Sequence, residues 1–192
     1  EPHRRVLATI EARHTGRPHE DAEWMAHHPA EGELWEMASV YQAQAADRAL
    51  ARGSYAEAIA GLRAALRSYD RSAAGLEATE RAIDQLRALR ALLYATAGDA
   101  DELAAVLARA EKLAHGNGDR NRLAWVWVDL SGQWWVEGEN GQAIAAARRC
   151  LEIAEETTDP SLRALALFRL GLGLYAVGDY VGAADALSRS CD

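Results

Sequence analysis

Four turn signals recur along this 192-residue chain, each followed five positions later by a small or aliphatic residue. They are Gly53-Ser54-Tyr55, Gly98-Asp99-Ala100, Gly138-Glu139-Asn140 and Gly178-Asp179-Tyr180, with Ala58, Leu103, Ala143 and Ala183 after them. The glycines stand 45, 40 and 40 residues apart, a period that belongs to stacked arrays of helical hairpins and to few other architectures. A hairpin of that size cannot bury its apolar stripe alone, so the repeat implies neighbours stacked into a continuous core.

Helical periodicity rich in Ala, Leu, Arg and Glu runs almost throughout, and no segment alternates as a strand does. Ten helices are expected. Two short ones, about 3–14 and 19–28, are separated by Gly16 and Pro18 and ended by Pro29. Four hairpins follow, at 34–70, 75–115, 120–157 and 161–191. In each, the turn glycine is expected to take the left-handed conformation that closes the first helix, while Ser54, Asp99 or Asp179 caps the second. Asp159 and Pro160 form a cap and first-turn pair at the start of the last hairpin. The division is therefore an N-terminal helical segment, 1–33, and a repeat array, 34–192.

Composition excludes several classes. The formal charge is −8, with 29 acidic against 21 basic residues, which opposes a nucleic-acid surface because phosphate contacts need clustered Lys and Arg. The two cysteines, Cys150 and Cys191, have neither CxxC spacing nor the number for a disulfide framework, so reduced thiols and a cytoplasmic location are expected. No run is long and apolar enough for a membrane span, and the N-terminus lacks a signal-peptide core. The start at Glu1 and the end inside a helical pattern read as a piece excised from a larger protein.

The hairpins resemble tetratricopeptide repeats. The fourth fits best, with Leu170-Gly171, Leu174, Gly178-Asp179-Tyr180, Ala183 and Leu187; in the third, Trp127 takes the Trp position, ahead of Leu130, Trp134, Gly138, Ala143 and Cys150. The first matches through Tyr55, Ala58, Leu62, Ala65 and Leu66, the second through Tyr94, Gly98-Asp99, Leu103, Leu107 and Ala110. Gln42 and Arg87 replace the Trp of the pattern in the first two, and the period exceeds the usual 34. The resemblance implies an all-α, right-handed solenoid of about four hairpins preceded by two short helices. A narrower resemblance covers about the first 70 residues, from Trp24-Met25-Ala26-His27-His28 through Trp35, Tyr41 and Ala45-Ala46-Asp47-Arg48-Ala49 to Ser54-Tyr55-Ala56-Glu57-Ala58-Ile59. That stretch is similar to the junction ahead of the repeat array in bacterial multidomain signalling ATPases, including LuxR-type regulators and AAA-like proteins with a nucleotide cyclase domain. It implies a sensor or scaffold region working on other domains of the parent chain.

Four of the six Trp fall within Trp125–Trp135. On a helix, Trp127, Leu130 and Trp134 share one face, and Trp125, Val128, Gly132 and Trp135 share another. One stripe closes the hairpin, so Trp127 and Trp134 are expected buried. The second must cover something else. Its equivalents in other hairpins are Asp47, Leu92, and Phe168, Leu172 and Tyr175. Three readings stand for it: burial between neighbouring helices, a groove for a peptide or small effector, and a subunit contact. On the groove reading the binding residues are Trp125, Val128, Trp135, Phe168, Leu172 and Tyr175.

Catalytic and metal chemistry find little support. His19, Glu23 and His27 lie at i, i+4 and i+8, but solvated or capping histidines account for them and no zinc signature surrounds them. Glu152, Glu155, Glu156 and Asp159 read as a solvated face and a helix end rather than an acid–base pair. Lys112 is the single lysine and no GxxxxGK[ST] loop occurs, so no Walker-type phosphate site is encoded. The expectation is a non-catalytic module without metal or cofactor, acting as the sensor or scaffold of a bacterial signalling or transcriptional regulator. It would bind a protein, a peptide or a small effector, but neither nucleic acid nor membrane. The alternative is a constitutive scaffold that holds subunits together as a homo-oligomer.

Overall fold

Each hairpin turn closes through one backbone device. A residue with positive φ stops the helix, and the next N–H donates to the carbonyl five residues back. These bonds run from Ser54 to Ala49 (2.9 Å), Gly98 to Leu93 (2.7 Å), Glu139 to Trp134 (2.8 Å) and Asp179 to Leu174 (3.0 Å). Gly53, Gly138 and Gly178 supply φ of 76°, 82° and 86°, as their spacing predicts. The second turn differs: Ala97 takes the left-handed conformation, φ 51°, and Gly98 does not. Gly98 is required sterically instead, since a Cβ there would lie 2.9 Å from Leu93 Cδ2 and 3.1 Å from its carbonyl oxygen.

The computed structural model describes residues 35–72, 75–157 and 159–191. The expected helices at 3–14 and 19–28, with His19, Glu23 and His27, lie outside them. Among the described residues there are eight helices and no strand: α1 (Trp35–Ala51), α2 (Tyr55–Tyr69), α3 (Leu76–Ala95), α4 (Ala100–Asn117), α5 (Arg120–Val136), α6 (Asn140–Thr157), α7 (Pro160–Ala176) and α8 (Tyr180–Arg189). Asp99, Asp119, Asp159 and Asp179 cap α4, α5, α7 and α8 by accepting backbone N–H bonds. Ser54, also expected to cap, makes no side-chain cap bond. The described residues divide between Ala78 and Thr79 into two compact units.

In the first unit, α1 and α2 form a hairpin whose buried residues are mostly small on α1 (Ala38, Ala46, Ala49) and larger on α2 (Ile59, Leu62, Leu66). Small side chains permit close approach. A Cβ on Gly61 would lie 2.9 Å from that of Ala46. Ser68 donates to Gln42 Oε1 at 2.8 Å, so the residue in the Trp position of the repeat pattern serves a polar contact across the hairpin.

In the second unit, α5 packs on α4, α6 and α7, while α6 and α8 both pack on α7. Ala124 and Val128 of α5, Cys150, Ile153 and Ala154 of α6, and Leu162 and Ala166 of α7 form one cluster, with Trp125 and Trp127 packed half-buried against it. Burial in this apolar cluster pushes the Cys150 thiol up to about 12, against a smaller opposing effect of Arg87. Ala143 and Ala183 are buried at the helix crossings, and Ser131 donates to the Ala143 carbonyl at 2.8 Å.

Candidate functional site

The sequence places Trp125, Val128, Gly132 and Trp135 on one stripe, and the structure divides it. At about 100° per residue, Asp129, Gly132 and Val136 stay in line with Trp125, whereas Val128 and Trp135 fall roughly 60–80° to one side. Val128 is accordingly core, 1% exposed, and lines no surface. Leu92, the matching inner position on α3, is buried as well. Trp135 and Phe168 are about equally open, at 40% and 41%, and Tyr175 more so at 64%, whereas Trp125 and Leu172 are half-buried.

Trp127 and Trp134, expected in the interior, are also only half-buried. The polar end of Trp127 explains its position: Nε1 donates to Glu111 Oε1 at 3.0 Å, His115 meets the ring edge, and the Arg149 guanidinium lies 5.6 Å from its centroid. An indole N–H with a solvent-side carboxylate partner keeps one edge of the ring at the surface.

The groups that do converge are charged. On α3, Arg87, Arg90 and Tyr94 follow one another at helical spacing, on α5 stand Trp125, Asp129 and Gly132, and on α7 stands Arg169. Arg87 Nε donates to Asp129 Oδ2 at 2.8 Å, and Arg90 Nη1 stands 3.6 Å from Oδ1. Arg87 also lies over the Trp125 ring, 5.1 Å from its centroid, and Arg90 over Tyr94 at 5.2 Å. These cation–π contacts fix both guanidinium planes without neutralising them.

Arg169 comes in from α7 against Gly132. A Cβ on Gly132 would be 2.9 Å from Arg169 Cζ, so the guanidinium rests on the α5 backbone at a place where a side chain on residue 132 would push it aside. Arg169 makes no hydrogen bond or ion pair among the described residues, and the Nε atoms of Arg169 and Arg90 are buried without a partner. Burial, then repulsion by Arg90, depresses the basicity of Arg169, with Asp129 and Tyr94 opposing. Three guanidinium groups thus share one carboxylate, and two positive charges are left over.

A second charged group is structural. Arg122 Nη1 pairs with Asp119 at 2.6 Å and with Glu80 at 3.2 Å, and Nη2 with Asp84 at 3.1 Å, holding α3 to the start of α5. Burial raises the Asp119 carboxyl, but hydrogen bonds from Arg122, and its charge, outweigh this and hold it below the usual aspartate value. Here acids outnumber the base, and every partner is used.

Nothing in their spacing along the chain joins Arg87, Arg90, Asp129 and Arg169 into a group. One signal was available: a lone carboxylate at 129 and a mid-helix glycine at 132, both in line with Trp125 inside an otherwise apolar segment. Among the described residues no group of three or more His, Cys, Asp or Glu could hold a metal ion, and no helix is long and apolar enough to cross a membrane.

No protein-family model matches this sequence, and no curated protein is similar to it. Among solved structures the chain is similar to BtubC (BKLC) from P. vanneervenii, with a TM-score of 0.56 and 15% identity, over 98% of this chain and 89% of that one. At that identity the likeness carries the fold alone, an all-α arrangement of helical hairpins.

Proposed function

We propose that the chain is a non-catalytic helical-repeat module that binds a protein partner or small effector, as the sensor or scaffold region of a larger bacterial signalling or transcriptional regulator. One observation carries the binding role: three arginines from α3 and α7 converge on a single counter-ion of α5, and the chain neighbour of one of them, Phe168 beside Arg169, is an exposed aromatic residue. Aromatic and Arg side chains on an accessible surface are the residue types that dominate recognition energetics. The regulator context rests on the resemblance of the first 70 residues. Binding to one arrangement of the helices in preference to another would shift the module's conformational equilibrium and so pass a signal to a neighbouring domain.

A photo-reactive phenylalanine placed at position 168 of the full-length protein tests the binding role. The expected result is a discrete adduct to one partner or effector, suppressed by Tyr175→Ala. Labelling no more specific than from Arg148, exposed on α6, removes the reading. A phosphate-release assay with ATP is expected to show no turnover, and turnover would overturn the non-catalytic assignment. A second reading, a homo-oligomerising scaffold, is favoured by the exposed apolar group Tyr175, Val177, Tyr180 and Val181 around the last turn. Light scattering on the chain with Val181→Asp separates the two.

A further inference from the structure

We infer that Arg87, Arg90 and Arg169 form a receptor for a carboxylate, delivered by an acidic peptide segment that lies across α3, α5 and α7. The inference rests on the binding role proposed above and names its ligand class. A buried guanidinium is costly unless charges and hydrogen bonds compensate it, so a native chain that keeps one unpaired invites a functional account. Arg169 approaches this condition, half-buried with its Nε enclosed and unpartnered, and so does Arg90, whose Nε is buried without a partner while Nη1 reaches Asp129 only at 3.6 Å. Replacing Arg169 by an apolar residue would cost the fold no ion pair, so stability does not explain its presence.

The geometry suits an oxoanion. Planar guanidinium groups held in place, two of them by aromatic rings and one by the α5 backbone at Gly132, present their N–H donors in a fixed fork that matches a carboxylate bidentately. Asp129 occupies one side of the cluster and leaves Arg169 free, so an incoming anion completes the charge balance rather than displacing a native pair. The chain's −8 charge disfavours a free polyanion at long range. An anionic group therefore needs additional contacts, and Trp125, Tyr94 and Phe168 provide apolar surface for the flanking residues of a peptide. That is why the occupant assigned is an acidic peptide rather than a free anion or a nucleic acid.

The test uses the whole 192-residue chain with arginine Nε–H and tryptophan indole signals followed by NMR. Two probes are titrated separately, a hexaglutamate segment carrying a phenylalanine at each end, and inorganic phosphate. The peptide is expected to shift the Arg90, Arg169 and Trp125 signals saturably, with affinity at least about tenfold weaker in Arg169→Met and partly restored in Arg169→Lys. Asp129→Asn should bind it several-fold more tightly, because the negative charge that repels an incoming carboxylate is gone; a merely structural role for the cluster would not move affinity in that direction. Arg169→Met should melt no lower than the parent chain, since the lost group has no partner. A lower melting point assigns Arg169 to structure and overturns the inference. Saturable shifts with phosphate but none with the peptide probe overturn the peptide as occupant. No shift with either probe overturns the site itself; if the residue-168 adduct still forms, the binding role stands and only its anionic chemistry is lost.

Discussion

Gly171→Ala sets helix propensity against packing in a way that the structure alone resolves. In the middle of a helix the change favours folding by about 0.5–1 kcal/mol, because alanine loses less backbone entropy. In α7, however, the new Cβ would lie 2.6 Å from Leu187 Cγ, 2.8 Å from Leu187 Cδ2 and 3.3 Å from the Ala183 carbonyl oxygen. Cγ is anchored close to the α8 backbone and the carbonyl is part of it, so relief requires α8 to move outward. Overpacking of that kind costs about 1–3 kcal/mol, and the net effect is a loss of about 1 kcal/mol. Gly141, in the same unit and near the start of α6, has nothing within 4 Å of an added Cβ, so Gly141→Ala should stabilise by about 0.5 kcal/mol. Urea denaturation of the two variants should place their midpoints on opposite sides of the parent's, separated by roughly 0.5–1.5 M for a slope near 2 kcal/mol/M. If Gly171→Ala raises the midpoint as much as Gly141→Ala, the close crossing of α7 and α8 is wrong.

Trp127→Ala should cost about 1.5–2.5 kcal/mol, half the fully buried value, since the ring is half-exposed yet packs on the core and bonds Glu111, whereas Trp135→Ala should cost under about 1 kcal/mol; equal urea midpoints for the two would refute the placement. Ellman's reagent should titrate one thiol in the native chain, the exposed Cys191, and two in denaturant, because the buried Cys150 thiol is held at about 12; rapid native modification of both would contradict its burial. The folded-state value of Asp119 is lowered, so its charge stabilises the fold fully above the ordinary aspartate value of about 4 and this contribution fades as pH falls through the lower folded value. Asp119→Asn keeps a capping side chain but loses the charge, so the stability gap between parent and variant should be constant near neutrality and close in acid; a gap independent of pH down to about 2 would rule this out.

The helices, their turns and their hairpin pairing are local matters, legible in the order of residues alone. Gly53, Gly138 and Gly178 stand where positive φ is needed, the Asp caps stand one residue before their helices, and the apolar spacing is that of a helix. Such signals act over a few residues, so they can be read without knowing what packs on what. Ala97 marks the limit, since the left-handed position moved by one residue where Gly98 was needed for its missing Cβ. The site depends on contacts 37 to 42 residues apart, which no local signal carries, and it emerges when α3, α5 and α7 pack. A three-residue step falls short of a full turn, and that small angle sent Val128 to the core and left Asp129 facing Arg87 and Arg90. Arg169 looks in sequence like any helix arginine. It is the approach of α7 to Gly132 of α5 that brings its half-buried guanidinium to the other two and encloses its Nε, and no local pattern encodes that approach.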